Sequence, residues 1–156
     1  MASIRFENTI DIGVDRARVF AYLADIEHTP EWNWAIASSQ KLTPGPVEVG
    51  TRFRLERTAP QRAMEELEVT VLRQDEHLEV AGRLGPFDAR LSYDLRELPS
   101  GTRLVNSVEL KPTTSLGFLG GLVGGRIRSA VAENLTALKG VLETDASRHD
   151  GDTPAQ

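Results

Sequence analysis

Few side chains in this sequence are placed to do acid–base chemistry in a sheltered setting. Tyr93 and Asn106 stand among apolar neighbours in "LSYDLREL" and "TRLVNSVEL". A hydroxyl and an amide on an apolar face either satisfy each other or present themselves to the oxygen of a ligand. Arg57 and Glu65 flank the stretch "TAPQRAM". A turn centred near Gln61 sets them opposite each other, either as a solvated pair at a sheet margin or as a general acid or base whose pKa is moved by burial. His28, in "DIEHTPEW", has two readings, a solvated helix end or a group near an interior. The candidates for catalysis are therefore Tyr93, Glu65 and His28. Asn8 shares the inward parity of its strand and either caps backbone groups or faces the same interior.

Composition removes most other chemistry. The 156 residues contain no cysteine, which rules out disulfides, thiolate zinc sites and cysteine nucleophiles. The three histidines, His28, His77 and His149, have no i, i+4 spacing, so no metal site is expected, and no cofactor is. There is no Gly-x-Ser-x-Gly elbow. In "SLGFLGGLVGGR" the spacing of Gly120 and Gly125 imitates a phosphate-binding loop, but Arg126 and Ile127 follow where Lys and Ser or Thr are needed. The apolar run from Leu116 to Gly125 is half the roughly 20 residues of a membrane span. Stable membrane insertion is not expected, and transient membrane contact stays open. A net charge of −5, with scattered basic residues, argues against a nucleic-acid partner. The start, "MASIRFENTIDIG", alternates rather than forming an apolar run, so a cytoplasmic location is expected.

The elements that must position these residues follow from periodicity. Ile4, Phe6, Ile10 and Ile12 share one parity, which predicts a half-buried strand. Asp15 is placed to cap a helix burying Val19, Phe20, Leu23 and Ala24, and "HTPEWNW" predicts a second short helix with its proline in the first turn. Ile36 to Leu42 reads as a strand. Alternation over Phe53 and Leu55, Leu67 to Val71, Leu78 to Leu84, Phe87 to Leu95 and Leu104 to Leu110 predicts five more, joined by turns too short for parallel crossovers. If Pro99 and Ser100 sit in the last turn, paired positions place Leu95 by Leu104, Tyr93 by Asn106 and Leu91 by Val108. Leu119, Val123, Ile127, Val131, Leu135, Leu138 and Leu142 then recur at helical spacing. The polar stretch 145–156 lacks any period and is expected to be a disordered tail.

An antiparallel sheet with one apolar face must cover it, and the long C-terminal helix is the only element large enough. The fold class is α+β: a curved antiparallel sheet of six to seven strands wrapped around that helix, with two short helices after the first strand. "TIDIGVDRARVFAYLADIEHTPEWNWAI", "VGTRFRL" and "GGLVGGRIRSAVAENLTALKGVLE" resemble the START-like, or helix-grip, superfamily (SRPBCC proteins), and its polyketide cyclase/dehydrase and lipid-transport branch in particular. The likeness covers roughly residues 3–144, and residues 1–144 are expected to form one domain. It implies a deep cavity between sheet and long helix, open near the start of that helix.

Strand and helix parity name the walls of such a cavity: Phe53, Leu55, Leu67, Val69, Val80, Leu91, Tyr93, Asn106 and Val108 from the sheet, and Leu119, Val123 and Ile127 from the helix. Trp32 is expected to plug the core, and Trp34 to sit at the rim. The glycines of 117–125 are either a tight packing feature or a mobile gate. The reading taken is a binder or carrier of a small hydrophobic ligand such as a lipid, isoprenoid or polyketide. The alternatives are a polyketide cyclase or dehydratase using the acid–base groups above, and a protein-interaction module. Periodicity leaves the oligomeric state open.

Overall fold

A computed structural model describes residues 3–114 and 120–151, with side chains of 120–122 and 149–151 outside it. Strand β1 (Ile4–Ile12) leads through Gly13 to helix α1 (Arg16–Ala24). The Asp15 carboxylate accepts a hydrogen bond from the Arg18 amide, capping α1, and the helix buries Val19, Phe20, Leu23 and Ala24 as its spacing predicts. A 3-10 helix (Ile26–Glu31) follows at once, its amide at Glu27 held by Asp25. Pro30 lies near its end rather than in its first turn; the tight winding spans only six residues and leaves few backbone donors for proline to interrupt.

Six more strands follow: β2 (Ile36–Lys41), β3 (Arg52–Arg57), β4 (Ala63–Arg73), β5 (His77–Leu84), β6 (Phe87–Leu98) and β7 (Gly101–Pro112). They form one antiparallel sheet in the order β1-β7-β6-β5-β4-β3-β2, so that β1 and β2 are its edges. The β6–β7 pairing sets Leu91 opposite Val108, Tyr93 opposite Asn106 and Leu95 opposite Leu104, the register expected from the Pro99–Ser100 turn. The β3–β4 register is two residues away from expectation. Glu65 faces Leu55, and Arg57 faces Ala63. A shift of two keeps every side chain on its face, so alternation alone cannot tell the two pairings apart.

A bulge in β4 between Val69 and Val71 changes its parity at Thr70. Val71 thus pairs with Glu79, and Leu72 with the buried Leu78. The inward parity expected for Val71 fails for this reason. Ahead of the bulge, where Gly82 pairs with Leu67, a Cβ on Gly82 would stand 2.0 Å from the Glu66 carbonyl oxygen. Only glycine allows β4 and β5 to approach this closely while the sheet curls.

Helix α2 (Gly120–Gly151) crosses the concave face, giving the helix-grip arrangement. Its two halves pack differently. Leu135, Leu138 and Leu142 are buried in the main core with Ile12, Phe20, Phe53, Val69 and Leu104. Lys139 Nζ donates to the Asp11 carbonyl, and the Gly13 amide donates to Glu143 Oε2 at 3.0 Å, latching this half to the end of β1. Toward its start, Val123 and Ile127 are only half-buried, against a second cluster of Phe87, Ala89, Val108 and Leu110. A Cβ on Gly124 would meet Ile4 at 3.3 Å, whereas one on Gly125 would meet nothing.

The helix also runs past residue 144, where a disordered tail was expected to begin. Ala146 packs against the core, and no proline or glycine interrupts Asp145–Asp150. The remainder of that tail, residues 152–156, lies outside the described residues.

Candidate functional site

Where α1 gives way to the 3-10 helix, the chain lies across the inner faces of β3 to β6. A cavity of about 70 Å³ remains beneath it. Leu55, Leu67, Leu78, Val80, Leu84 and Leu91 make its floor. Leu23, Ile26 and Trp32 make its roof, with Ile36 at the side. Four groups break the apolar lining: Thr29, Asn33, Arg57 and Tyr93.

Each polar group is held by its local structure. Thr29 Oγ1 donates back to the Ile26 carbonyl at 2.7 Å, which settles that hydroxyl within its own turn. Asn33 Oδ1 accepts from the Ala35 amide at 3.1 Å, leaving the side-chain NH2 as the donor available to the cavity. The Ala35 carbonyl in turn accepts from the Thr58 amide at 2.8 Å, fixing this loop to the end of β3.

Arg57 Nε donates to Glu65 Oε1 at 2.7 Å, reaching diagonally across the β3–β4 pair. Glu65 is 4% exposed, and its other oxygen accepts from the Gly85 amide at 2.8 Å. Of the two readings of this pair, the solvated margin is therefore excluded. Both Glu65 oxygens are engaged by donors. Tyr93 projects into the cavity with no charge or hydrogen bond acting on its phenol. Burial alone pushes the phenol up to about 12.

The structure brings together Leu55, Leu67, Val80, Leu91 and Tyr93 among the residues expected to line a pocket. Phe53 and Val69 point the same way but are sealed in the main core, and Val108 belongs to the second cluster with Val123 and Ile127 beside it. Asn106 is buried outside the cavity wall. Its Nδ2 donates to the Ser92 carbonyl at 3.1 Å rather than to Tyr93, and its Oδ1 has no partner among the described residues. Asn8, opposite Asn106 on β1, donates to the Arg128 carbonyl of α2 at 3.4 Å. Leu119 lies outside the described residues, as does Gly117 of the glycine segment.

Two further expected site residues also lie away from the cavity. Trp34 is 65% exposed and touches no part of the cavity, while Trp32 lines it. Ala35 and Ile36 on its C-terminal side are buried, and the Ile36 amide bonds back to the Asn33 carbonyl, so the turn throws Trp34 outward. His28 stacks on Tyr22 with ring centroids 4.4 Å apart and lies between the carboxylates of Asp25 and Glu31 on the outer side of the short helix.

The cavity also differs from the deep space between sheet and long helix that the resemblance implies. No described side chain of α2 lines it, because Leu135, Leu138 and Leu142 fill the interior on that side. Leu23, Leu78 and Leu84 were legible as inward-facing; Thr29 and Asn33 were not, since neither belongs to a periodic pattern. Among the described residues no three His, Asp or Glu side chains converge as a metal would need, and no helix is long and apolar enough to cross a membrane.

The fold is the helix-grip arrangement, an antiparallel seven-stranded sheet against a long C-terminal helix. Residues 3–143 match the family model described as "Polyketide cyclase / dehydrase and lipid transport", and the chain belongs to that family. Similar solved structures include a START superfamily protein from Mycobacterium smegmatis, with a TM-score of 0.77 at 16% identity over 90% of this chain and 97% of the other. The Zhui aromatase/cyclase from Streptomyces superposes with a TM-score of 0.74 at 14% identity over 91% and 94% of the two chains. Ara h 8.0201 does so at 0.73 and 15% identity over 92% and 99%. At these identities the likeness is one of fold. No curated protein matches the sequence.

Proposed function

We propose that this protein binds a small, largely apolar molecule in the cytoplasm, with one polar end of the ligand held in the cavity beneath the short helix. The observation that carries this reading is the convergence of Asn33, Arg57 and Tyr93 on a space otherwise walled by leucine, isoleucine and valine. Apolar walls with a few placed polar groups are the general form of a small-molecule site. The space of about 70 Å³ takes a group of only a few atoms, well below the roughly 300–1,000 Å³ of pockets that enclose a drug-sized ligand. A longer body therefore leaves past Leu84 and Leu91, which are part-buried and border both hydrophobic clusters, toward the looser first half of α2 at Val123 and Ile127.

Native mass spectrometry of the protein as purified tests this. A carrier shows a bound mass that disappears on denaturation, and Tyr93→Phe keeps most of it. Protein that stays empty and fails to take up any of a panel of medium-chain lipids, isoprenoids and aromatic ketones would refute the reading.

Cyclisation or dehydration of a polyketide-like substrate is the second reading, favoured by the family description and by the unengaged phenol of Tyr93. A phenol held in its neutral form donates a proton or hydrogen bond to a carbonyl oxygen and does not act as a base near neutral pH. In this case Tyr93→Phe abolishes turnover while binding persists.

A further inference from the structure

Arg57 carries more donors than its partner uses. Its Nε is spent on Glu65 Oε1, and among the described residues no acceptor is paired with either terminal nitrogen. Arg57 lines the cavity beside Asn33, whose free group is the amide NH2, and Tyr93, whose free group is a hydroxyl. All three offer hydrogens, so what completes the cavity is an acceptor.

The charge balance then decides which acceptor. Glu65 is buried between Arg57 and the Gly85 amide, so the guanidinium already faces a carboxylate. Arg57 and Glu65 together are neutral. A carboxylate entering among leucine side chains would shed its water and meet a positive charge already matched, at a cost the pair cannot offset. A carbonyl oxygen sheds far less water and accepts the same N–H and O–H groups.

We infer that the Arg57–Glu65 pair sets ligand selectivity, favouring a neutral carbonyl at the end of an apolar body and rejecting a carboxylate of the same length. Glu65 is the selectivity-determining residue, acting through Arg57. This rests on the cavity being a ligand site, as proposed above.

The test compares 2-octanone with octanoate by titration calorimetry at neutral pH. Wild-type protein should bind the ketone at least tenfold more tightly. Glu65→Gln keeps the shape but uncovers the arginine charge, so octanoate should gain at least tenfold relative to the ketone, with circular dichroism confirming the fold. Equal affinity for both in the wild type would overturn the selectivity and leave the binding function standing, as would a ratio unchanged in a folded Glu65→Gln variant. Binding of neither probe would overturn the selectivity, and with an empty panel as well it would overturn the binding function. Should Glu65→Gln fail to fold, the wild-type ratio decides alone.

Discussion

Tyr93 resists ionisation because burial among leucines strips water from its phenolate. The folded protein holds the phenol up to about 12, whereas the unfolded chain ionises near the ordinary value of about 10. Below pH ~10 both states keep the proton and the contribution of Tyr93 to stability is constant. Between there and about 12 the unfolded state releases a proton that the folded state retains, so stability falls as pH rises. Thermal unfolding of wild type and Tyr93→Phe from about pH 8 to about pH 11 should show a constant difference at first, then a wild-type protein losing ground to the variant above pH ~10. A difference constant throughout would mean that the phenol is solvated. The importance of Tyr93 was legible in the sequence, since a polar group on an inward parity marks itself. That it does not bond Asn106, its cross-strand partner, was not: Asn106 turns its amide to the Ser92 carbonyl, a choice made by side-chain torsion rather than register. Trp34 was illegible for a different reason. A turn has no period, and whether the first or second tryptophan points inward depends on hydrogen bonds that the Ala35 and Ile36 amides donate to Asn33, which alternation does not encode.

Strands and helices were the most legible scale, because each is written in a period of two or of three to four. The limits are equally physical. The five residues between Arg57 and Ala63 permit two in-phase pairings, and the sheet adopts the one not expected. One extra residue at the β4 bulge reverses the face of everything beyond it, so Val71 reads as buried and is not. In α2 the hydrophobic stripe is continuous through Leu142, yet packing is concentrated in its second half. This division has a measurable consequence. Leu138→Ala removes a fully buried side chain and should cost about 2–5 kcal/mol. Ile127→Ala, half-buried beside the second cluster, should cost less than about half as much. Urea unfolding of the two variants distinguishes a helix seated along its length from one seated at its end; equal losses would support the former.

At the scale of the whole molecule, the sheet's curl and the seating of α2 leave the interior filled at one end and slack at the other. Leu84 and Leu91 lie at the boundary between the two hydrophobic clusters and also form the cavity floor. The polar groups lie under the short helix and no described side chain of α2 lines the cavity, so the proposed ligand would be held by the first helices and the sheet. The most direct measurement is a methyl NMR titration with 2-octanone, following leucine, isoleucine and valine signals. Saturable shifts are expected at Leu23, Ile26, Leu78, Val80 and Leu91, which line the cavity, with Leu104 and Leu138 in the sealed core unmoved. Shifts that never saturate, or that appear only on the outer face of the sheet, would contradict a binding site in this interior.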